Sequence, residues 1–201
     1  MNSPLFIETI RLSDGVLSNL VYHDLRLNHT RKMSLNQSDV WQLGRLIQVP
    51  KEYQTGLYKC RVTYGLHLEN IEFEIYQPRI IQRLRLVNDD NIEYNFKYKN
   101  RASLMALAEQ KGEADDVVIV KKGLITDASY ANVAFWDGSR WVTPDTPLLA
   151  GTRRAALIAE GILTPQTIRT EDLPTFSSVR LVNAMLDFQS TPPIEIRNIS
   201  Y

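Results

Sequence analysis

Short apolar runs in the second half of the chain are separated by two-residue turn signals, Lys122-Gly123 and Asp137-Gly138. Residue pairs that end in glycine favour the tight turns that join antiparallel strands. The spacing therefore predicts a series of strands connected by short turns. These strands are predicted at residues 116–121, 124–127, 131–136 and 140–143.

The first part of the chain combines strand and helix patterns. Asp14-Gly15 separates two strand-like runs and favours a hairpin turn. Later segments show either the alternation of a strand or the apolar spacing of a helix. The predicted elements are strands at residues 5–12 and 16–22, helices at 23–31 and 38–47, and an antiparallel strand pair between 57 and 77.

Pro78 marks a predicted boundary between two domains, a smaller one at residues 1–78 and a larger one at 79–201. Asn100 is a good N-cap for a helix that ends near Lys111. Strands and helices follow one another without βαβ alternation, so the pattern indicates the α+β class. The other predicted elements are two strand-like runs around Asn88-Asp89-Asp90, and a helix between Gly151 and Gly161.

Charge and cysteine content limit the partners and the compartment. Lys plus Arg and Asp plus Glu both number 23, so a net charge of zero gives no reason to expect nucleic acid or an anionic membrane. A small molecule or a protein is the expected partner. The single cysteine, Cys60, cannot form an internal disulfide, and charged residues interrupt the first apolar stretch. We expect a cytoplasmic protein without a signal peptide or membrane anchor.

Several common kinds of site are not indicated by the sequence. The three histidines have no Cys or acidic partner at a metal-ligand spacing, so no metal site is predicted. A Gly-rich phosphate loop and a Ser-nucleophile elbow are also missing. Any chemistry must therefore come from residues that are dispersed along the chain.

A set of dispersed motifs remains, and their order is informative. Arg26 lies in HDLRL, and two lysines precede the pair Asn100-Arg101 in FKYKNRAS. Asp127 lies in TDASYANV, which leads into a strand hairpin that ends in Thr-Pro. Gly151 and Thr152 then open a helix in LLAGTRRA.

Taken in this order, the motifs resemble the class IV aminotransferases, the pyridoxal-phosphate enzymes of fold type IV, from about Phe6 to about Asp187. That family includes branched-chain and D-amino-acid aminotransferases and 4-amino-4-deoxychorismate lyase. The resemblance implies a two-domain D-amino-acid aminotransferase-like fold, with pyridoxal 5′-phosphate between the domains and a barrel-like antiparallel sheet in the larger one. It also implies a homodimer that acts on a small-molecule amine or amino acid.

By this resemblance Lys97 is the reactive lysine, because Lys97-Tyr98-Lys99-Asn100-Arg101 matches the K-x-x-N-R pattern of the lyase branch with Lys97 first. Pyridoxal phosphate requires a lysine amine that binds it covalently, an acidic partner for its ring nitrogen and donors for its phosphate. The same lysine would carry the substrate proton. The resemblance assigns cofactor contacts to Arg26, Lys97, Asp127, Gly151, Thr152, Asn183, Ala184 and Met185.

Taken singly, each of these residues has an ordinary explanation. Lys97 and Lys99 share one face of a strand-like run, so the pattern alone does not separate them. Asp127 is compatible with a strand-end carboxylate, and Arg26 with a helix-surface residue whose stem packs on its neighbours. His23 is expected to help begin its helix. The functional interpretation depends on order and spacing taken together.

The chain departs from the family at Asp127, where relatives usually have glutamate. The family element F-x-E-T, here Phe6-Ile7-Glu8-Thr9, also lies near the N-terminus, so substrate identity does not carry over. The K-x-x-N-R pattern favours 4-amino-4-deoxychorismate lyase, which forms p-aminobenzoate and pyruvate. The alternatives are an amino-acid aminotransferase of the branched-chain or D-amino-acid type, and a relative that binds pyridoxal phosphate without turnover.

Overall fold

The computed structural model describes residues 3–201. The chain forms two compact units: the first unit contains the residues up to 78 together with 96–100, and the second unit contains 79–95 and 101–201. Each unit has its own cluster of buried apolar side chains. Within the described residues, no helix combines the length and the apolar character needed to cross a membrane.

A four-stranded antiparallel sheet and one long helix form most of the first unit. The strands are β1 (Phe6–Ser13), β2 (Val16–Leu17), β3 (Leu57–Tyr64) and β4 (Leu68–Ile75), and the helices are α1 (Leu20–Leu35), α2 (Leu43–Leu46) and a 3₁₀ turn (Lys51–Tyr53). The strand order is β2-β1-β3-β4. Helix α1 lies against β1, so one face of the sheet is covered.

Strand β1 directs alternate side chains into the core of the first unit. Phe6, Glu8, Ile10 and Leu12 are all fully buried, as the two-residue period of a strand requires. Phe6 and Ile10 join the apolar cluster that includes Leu27 of α1. Glu8 is the exception to the apolar character of these buried side chains. A buried carboxylate is stable only when it is paired with hydrogen-bond donors or a positive charge.

Helix α1 begins earlier than the predicted helix at residues 23–31 and is also longer. Asn19 adopts a left-handed conformation with φ of 61° immediately before the helix. Asparagine tolerates this conformation better than most residues do. The chain therefore turns into α1 at this point, and the strand predicted at residues 16–22 ends after Leu17.

The helix predicted at residues 38–47 is wrong for most of its length, because α2 is a single turn. Asn28 of α1 hydrogen-bonds both the N–H and the C=O of Trp41, each at 2.8 Å. Asp24 of α1 accepts a hydrogen bond from the Leu43 N–H, also at 2.8 Å. These α1 side chains hold the segment before α2 out of the helical conformation, a tertiary effect that overrides local propensity.

A nine-stranded sheet and two helices form the second unit. The strands are β5 (Leu84–Asn88), β6 (Asp116–Lys121), β7 (Leu124–Ala128), β8 (Asn132–Trp136), β9 (Trp141–Pro144), β10 (Leu163–Gln166), β11 (Ser178–Val182), β12 (Ile194–Glu195) and β13 (Ile199–Ser200), and the helices are α3 (Ala102–Ala108) and α4 (Thr152–Ala159), with 3₁₀ turns at Glu109–Lys111, Thr170–Thr175 and Ile196–Asn198. The strand order is β10-β9-β8-β7-β6-β5-β13, and β11 pairs with β8 and β12. The four strands predicted between residues 116 and 143 are present as β6 to β9.

This sheet is mixed, whereas the sequence predicted an antiparallel one without βαβ units. The pairs β5–β6 and β9–β10 are parallel, and so is β5–β13. Helix α3 lies between β5 and β6 in the chain, and α4 lies between β9 and β10, so each helix belongs to a crossover that a parallel pair requires. Of the two strand-like runs around Asn88-Asp89-Asp90, only the first is a strand, and the helix predicted from Asn100 begins at Ala102.

Candidate active site

Lys97 lies in a short segment of the first unit that runs antiparallel to the start of β1. Its carbonyl accepts a hydrogen bond from the Ile7 N–H at 2.9 Å, and the Lys99 N–H donates to the Leu5 carbonyl at 2.8 Å. Between them, Tyr98 forms a bridge with Phe6, and the two rings lie 5.2 Å apart. Lys97 is half-buried and Lys99 is exposed. The tertiary structure thus separates two lysines that the sequence pattern could not distinguish.

A buried ion-pair cluster lies between β1 and α1 in the same unit. Glu8 accepts hydrogen bonds from Arg26 Nε at 2.9 Å and from Arg26 Nη2 at 2.6 Å. His23 Nδ1 lies 2.6 Å from Glu8 Oε2. His23 and Arg26 are three positions apart on α1, a spacing that puts both on the helix face above Glu8. The side chains of Glu8 and His23 are completely buried, and that of Arg26 is 11% exposed.

The electrostatics of this cluster keep Glu8 charged. Burial alone would raise the pKa of Glu8, but the Arg26 guanidinium and the hydrogen bonds from His23 and Arg26 lower it to about 2. Burial also lowers the pKa of His23. The positive charges of Arg26 and Lys97 lower it further, whereas the hydrogen bond and the charge of Glu8 raise it. At neutral pH the pair is therefore a carboxylate and a neutral imidazole, whose Nδ1–H donates to Glu8. Lys97 is an electrostatic neighbour of His23.

Glu8 and His23 were not identified as site residues from the sequence. His23 lies inside α1, which begins at Leu20, and its ring is a partner of Glu8 rather than a helix-starting group. A signal was available: Glu8 occupies a position where the alternation of Phe6, Ile10 and Leu12 demands an apolar side chain. A charged residue on such a stripe predicts a buried partner of opposite charge.

Asp127 is the central carboxylate of the second unit. It lies directly opposite Asn132 in the pairing of β7 with β8. Its Oδ1 accepts a hydrogen bond from Asn132 Nδ2 at 2.7 Å, and its Oδ2 accepts one from the Leu149 N–H at 2.9 Å. Burial raises the pKa of Asp127 to about 6, although the Asn132 and backbone donors and the charge of Arg154 favour the ionised form.

Gly151 and Thr152 form the start of α4. Gly151 is the N-cap residue, and Thr152 is the buried first residue of the helix. The amide groups in the first turn of a helix have no partners within the helix and favour an anion. A Cβ on Gly151 would lie 1.9 Å from Asn132 Oδ1, so this glycine is in contact with the amide that also holds Asp127.

Asn183, Ala184 and Met185 follow strand β11. Asn183 Oδ1 accepts hydrogen bonds from the backbone N–H groups of Met185 at 2.9 Å and Leu186 at 3.1 Å. The resemblance places the backbone of these residues at the cofactor phosphate, but the Met185 amide already donates to the Asn183 side chain. The role of these three residues at a cofactor phosphate stays a prediction.

The residue types in the two units fit pyridoxal 5′-phosphate. The first unit supplies a half-buried amine, Lys97, and an arginine, Arg26, that is fixed by a buried carboxylate. The second unit supplies Asp127, which is buried and accepts from Asn132 and from the Leu148 and Leu149 backbone. Since a carboxylate offers about four acceptor positions, one further donor can be accommodated.

The fold matches those of several solved structures. A solved structure of a candidate 4-amino-4-deoxychorismate lyase from Haemophilus somnus superposes with a TM-score of 0.85 at 31% identity, covering 92% of this chain and 98% of that one. The pyridoxal-phosphate-bound form of a hypothetical aminotransferase from Mycobacterium tuberculosis gives a TM-score of 0.76 at 18% identity, covering 98% of this chain and 81% of that one. This architecture is the aminotransferase fold of type IV.

Sequence comparison agrees with the fold. The profile described as amino-transferase class IV matches residues 5–191. An uncharacterised protein of Haemophilus influenzae is 37% identical over 184 residues, which is 90% of this chain and 97% of that protein. The chain therefore belongs to the class IV aminotransferase family.

Proposed function

We propose that this protein is a pyridoxal-phosphate-dependent enzyme and that its reaction is the 4-amino-4-deoxychorismate lyase reaction, which releases p-aminobenzoate and pyruvate. The observation that carries the proposal is the likeness to the Haemophilus somnus protein, because it combines 31% identity with nearly complete coverage of both chains. The K-x-x-N-R pattern that begins at Lys97 supports the same branch of the family.

The residues of the first unit would hold the reactive end and the phosphate of the cofactor. Lys97 would bind the cofactor through its amine and then move the proton at the substrate carbon that carries the amino group. Arg26 would bind the phosphate. Glu8, which is bonded to both His23 and Arg26, would keep the Arg26 guanidinium in place. Because the His23 imidazole is neutral, it adds no positive charge near the Lys97 amine.

The residues of the second unit would hold the ring. When bound, pyridoxal phosphate supplies an electron-withdrawing ring that stabilises negative charge at the substrate carbon. Asp127 would accept a hydrogen bond from the protonated ring nitrogen and would stabilise the positive charge of the ring. The first turn of α4, with Gly151 and Thr152, would bind the phosphate from this unit.

An amino-acid aminotransferase is the second candidate, since the family profile and the Mycobacterium tuberculosis neighbour both carry that name. Both reactions begin by removing a proton from the carbon that bears the amine, so the same residues serve either. The two differ in their second substrate. A transaminase requires a 2-oxo-acid acceptor, whereas the lyase releases two products from one substrate.

The test is to incubate the pyridoxal-phosphate-loaded protein with 4-amino-4-deoxychorismate and to measure p-aminobenzoate and pyruvate together. We expect equal amounts of both products. Amino transfer to a 2-oxo acid without release of p-aminobenzoate would support the aminotransferase instead. Cofactor binding without either reaction would contradict both proposed activities.

Two lysine variants make a matched pair for this test. Lys97→Ala is expected to abolish turnover and the visible absorbance of covalently bound cofactor. Lys99→Ala, two residues away and exposed, is expected to retain both. The reverse result would show that Lys99 is the reactive residue.

A further inference from the structure

The side chain of Asn132 connects two separate parts of the second unit. Its Nδ2 donates to Asp127 Oδ1 at 2.7 Å and to the carbonyl of Leu149 at 2.9 Å. Leu149 in turn donates its N–H to the other oxygen of Asp127 at 2.9 Å. A closed set of three hydrogen bonds therefore ties the end of β7 to the segment before α4.

The strand register makes this arrangement stiff. Asp127 and Asn132 are directly opposite on antiparallel strands, so their side chains leave the sheet on the same face as close neighbours. The connection between them is closed by a hydrogen bond from the Ala128 N–H to the Ala131 carbonyl at 2.8 Å. Asn132 is only 6% exposed, so water does not replace these contacts readily.

Gly151 contacts the same amide from the other side. Its φ of −70° and ψ of 136° are conformations that any residue adopts, so backbone freedom does not explain a glycine here. Space does: a Cβ would lie 1.9 Å from Asn132 Oδ1 and 3.0 Å from Asn132 Cγ. Because the Asn132 amide is held by Asp127 and Leu149, it could move away only by breaking those bonds.

We infer that Asn132 is a positioning residue for Asp127, and that residue 151 is glycine because the Asn132 amide occupies the place of its side chain. The inference rests on the proposed function, in which Asp127 pairs with the cofactor ring nitrogen. It adds a residue to that site and assigns Gly151 a second duty besides opening α4.

Loss of the Asn132 contact has a defined electrostatic sign. The groups that act on Asp127 are the Asn132 amide, the Leu148 and Leu149 backbone and the Arg154 guanidinium, and Asp145 acts on Arg154 in turn. Each of the groups that acts directly on Asp127 favours its ionised form, whereas burial favours its protonated form. Removing the Asn132 donor is therefore expected to raise the pKa of Asp127 above about 6 and to increase its protonated fraction at pH 7.

The first experiment is a ¹³C carboxyl titration of Asp127 in the 201-residue chain, unchanged and as Asn132→Ala and Gly151→Ala. Both variants are expected to move the Asp127 midpoint upward, by about one pH unit for the loss of one hydrogen bond to a charged acceptor. Gly151→Ala leaves Asn132 and Asp127 in the sequence and acts only by displacement. Gly44→Ala is the matched control, because Gly44 also has an ordinary φ and its Cβ would make an ordinary contact, 3.4 Å from Leu20 Cδ1.

The double variant Asn132→Ala/Gly151→Ala sharpens the test. Once the Asn132 amide is removed, a Cβ at residue 151 meets nothing at that point, so the double variant should titrate like Asn132→Ala alone. Coupling of this kind is the expected result for residues in contact. Additive shifts, or an unchanged Asp127 midpoint in either single variant that folds by circular dichroism, would overturn the inference.

Pyridoxal 5′-phosphate binding separates this inference from the proposed function. If the unchanged chain binds the cofactor, both single variants are expected to bind it with about twofold lower affinity at pH 7, because a pKa higher by one unit lowers the ionised fraction of Asp127 from about 0.9 to about 0.5, and to regain affinity as the pH is raised. If the unchanged chain does not bind it, the proposed function and the cofactor part of the inference fail together. The titration still decides whether Asn132 and Gly151 position Asp127.

Discussion

Glu8 in the first unit and Asp127 in the second are both buried carboxylates, with 0% and 5% exposure. Their surroundings drive their ionisation in opposite directions. The pKa of Glu8 falls to about 2, whereas that of Asp127 rises to about 6. Burial opposes the charge in both cases, so the partners make the difference.

Glu8 is bonded directly to a cation, and Asp127 is not. Arg26 gives Glu8 two charge-assisted hydrogen bonds. Asp127 receives neutral amide donors, and Arg154 directs its own hydrogen bonds to Thr143 Oγ1 and the Pro144 carbonyl. A permanently charged residue that holds an arginine and a carboxylate that titrates near neutral pH suit different tasks: the first is structural support, and the second is binding of a protonated ligand atom.

The largest expected effect that tests this comparison is on stability. Glu8→Gln leaves the Arg26 charge buried without its counter-ion, so we expect the free energy of unfolding at pH 7 to fall by about 3–5 kcal/mol. Urea unfolding measures the change. Glu74→Gln is the control, because it removes an exposed ion pair with Lys59 and should cost less than about 1 kcal/mol. Similar losses in both variants would remove the special status of Glu8.

The pH dependence of stability should have opposite signs at the two carboxylates. Glu8 has its pKa lowered from 4.5 to about 2, so its contribution is present above pH 4.5 and is lost as the pH falls towards 2. Asp127 has its pKa raised from 3.8 to about 6, so its contribution is present below pH 3.8 and is lost as the pH rises through 6. Each effect amounts to about 3 kcal/mol over its full range.

Unfolding measured from pH 2.5 to pH 7.5 separates these contributions. Relative to the unchanged chain, Glu8→Gln should become progressively less stable as the pH rises from 2.5 to 4.5. Asp127→Asn should become progressively more stable, relative to the same reference, between pH 4 and pH 6.5. Parallel curves for the two variants would refute the comparison.

The smallest expected effect is the stability change of Asp127→Asn at pH 7. Removal of a buried charge stabilises the fold, and replacement of one acceptor by an amide N–H that faces the donors of Asn132 and Leu149 destabilises it. We expect these contributions to offset one another to within about 1 kcal/mol. Turnover should nevertheless be lost, because an amide cannot hold a pyridinium charge. A loss of stability as large as that of Glu8→Gln would show that Asp127 is chiefly structural.

Local patterns predicted the elements that depend on neighbouring residues. The strands β6 to β9 were predicted because glycine turns separate them, and β1 because its apolar residues alternate. The α2 region was missed because Asn28 and Asp24 of α1 hold its backbone, and no local pattern reports a bond between residues 13 or more positions apart. The parallel strand pairs were missed for the same reason, since a crossover is a property of the sheet.

The candidate site divides in the same way. The order of motifs along the chain was enough to propose Arg26, Lys97 and Asp127 as site residues, and the comparisons with known proteins established the family. Glu8, His23 and Asn132 entered only when the strands and helices were assembled, because each is defined by a partner elsewhere in the chain.

The sequence by itself determined the residue types available for chemistry, the turn positions and the family resemblance, because these depend on local composition and order. Tertiary structure alone decided which lysine is half-buried and which carboxylate has a cationic partner. It also placed the Asn132 amide where a side chain on residue 151 would lie. Ionisation and steric fit depend on distances of a few ångströms between residues far apart in the chain. Those distances exist only after the strands have paired and the helices have packed.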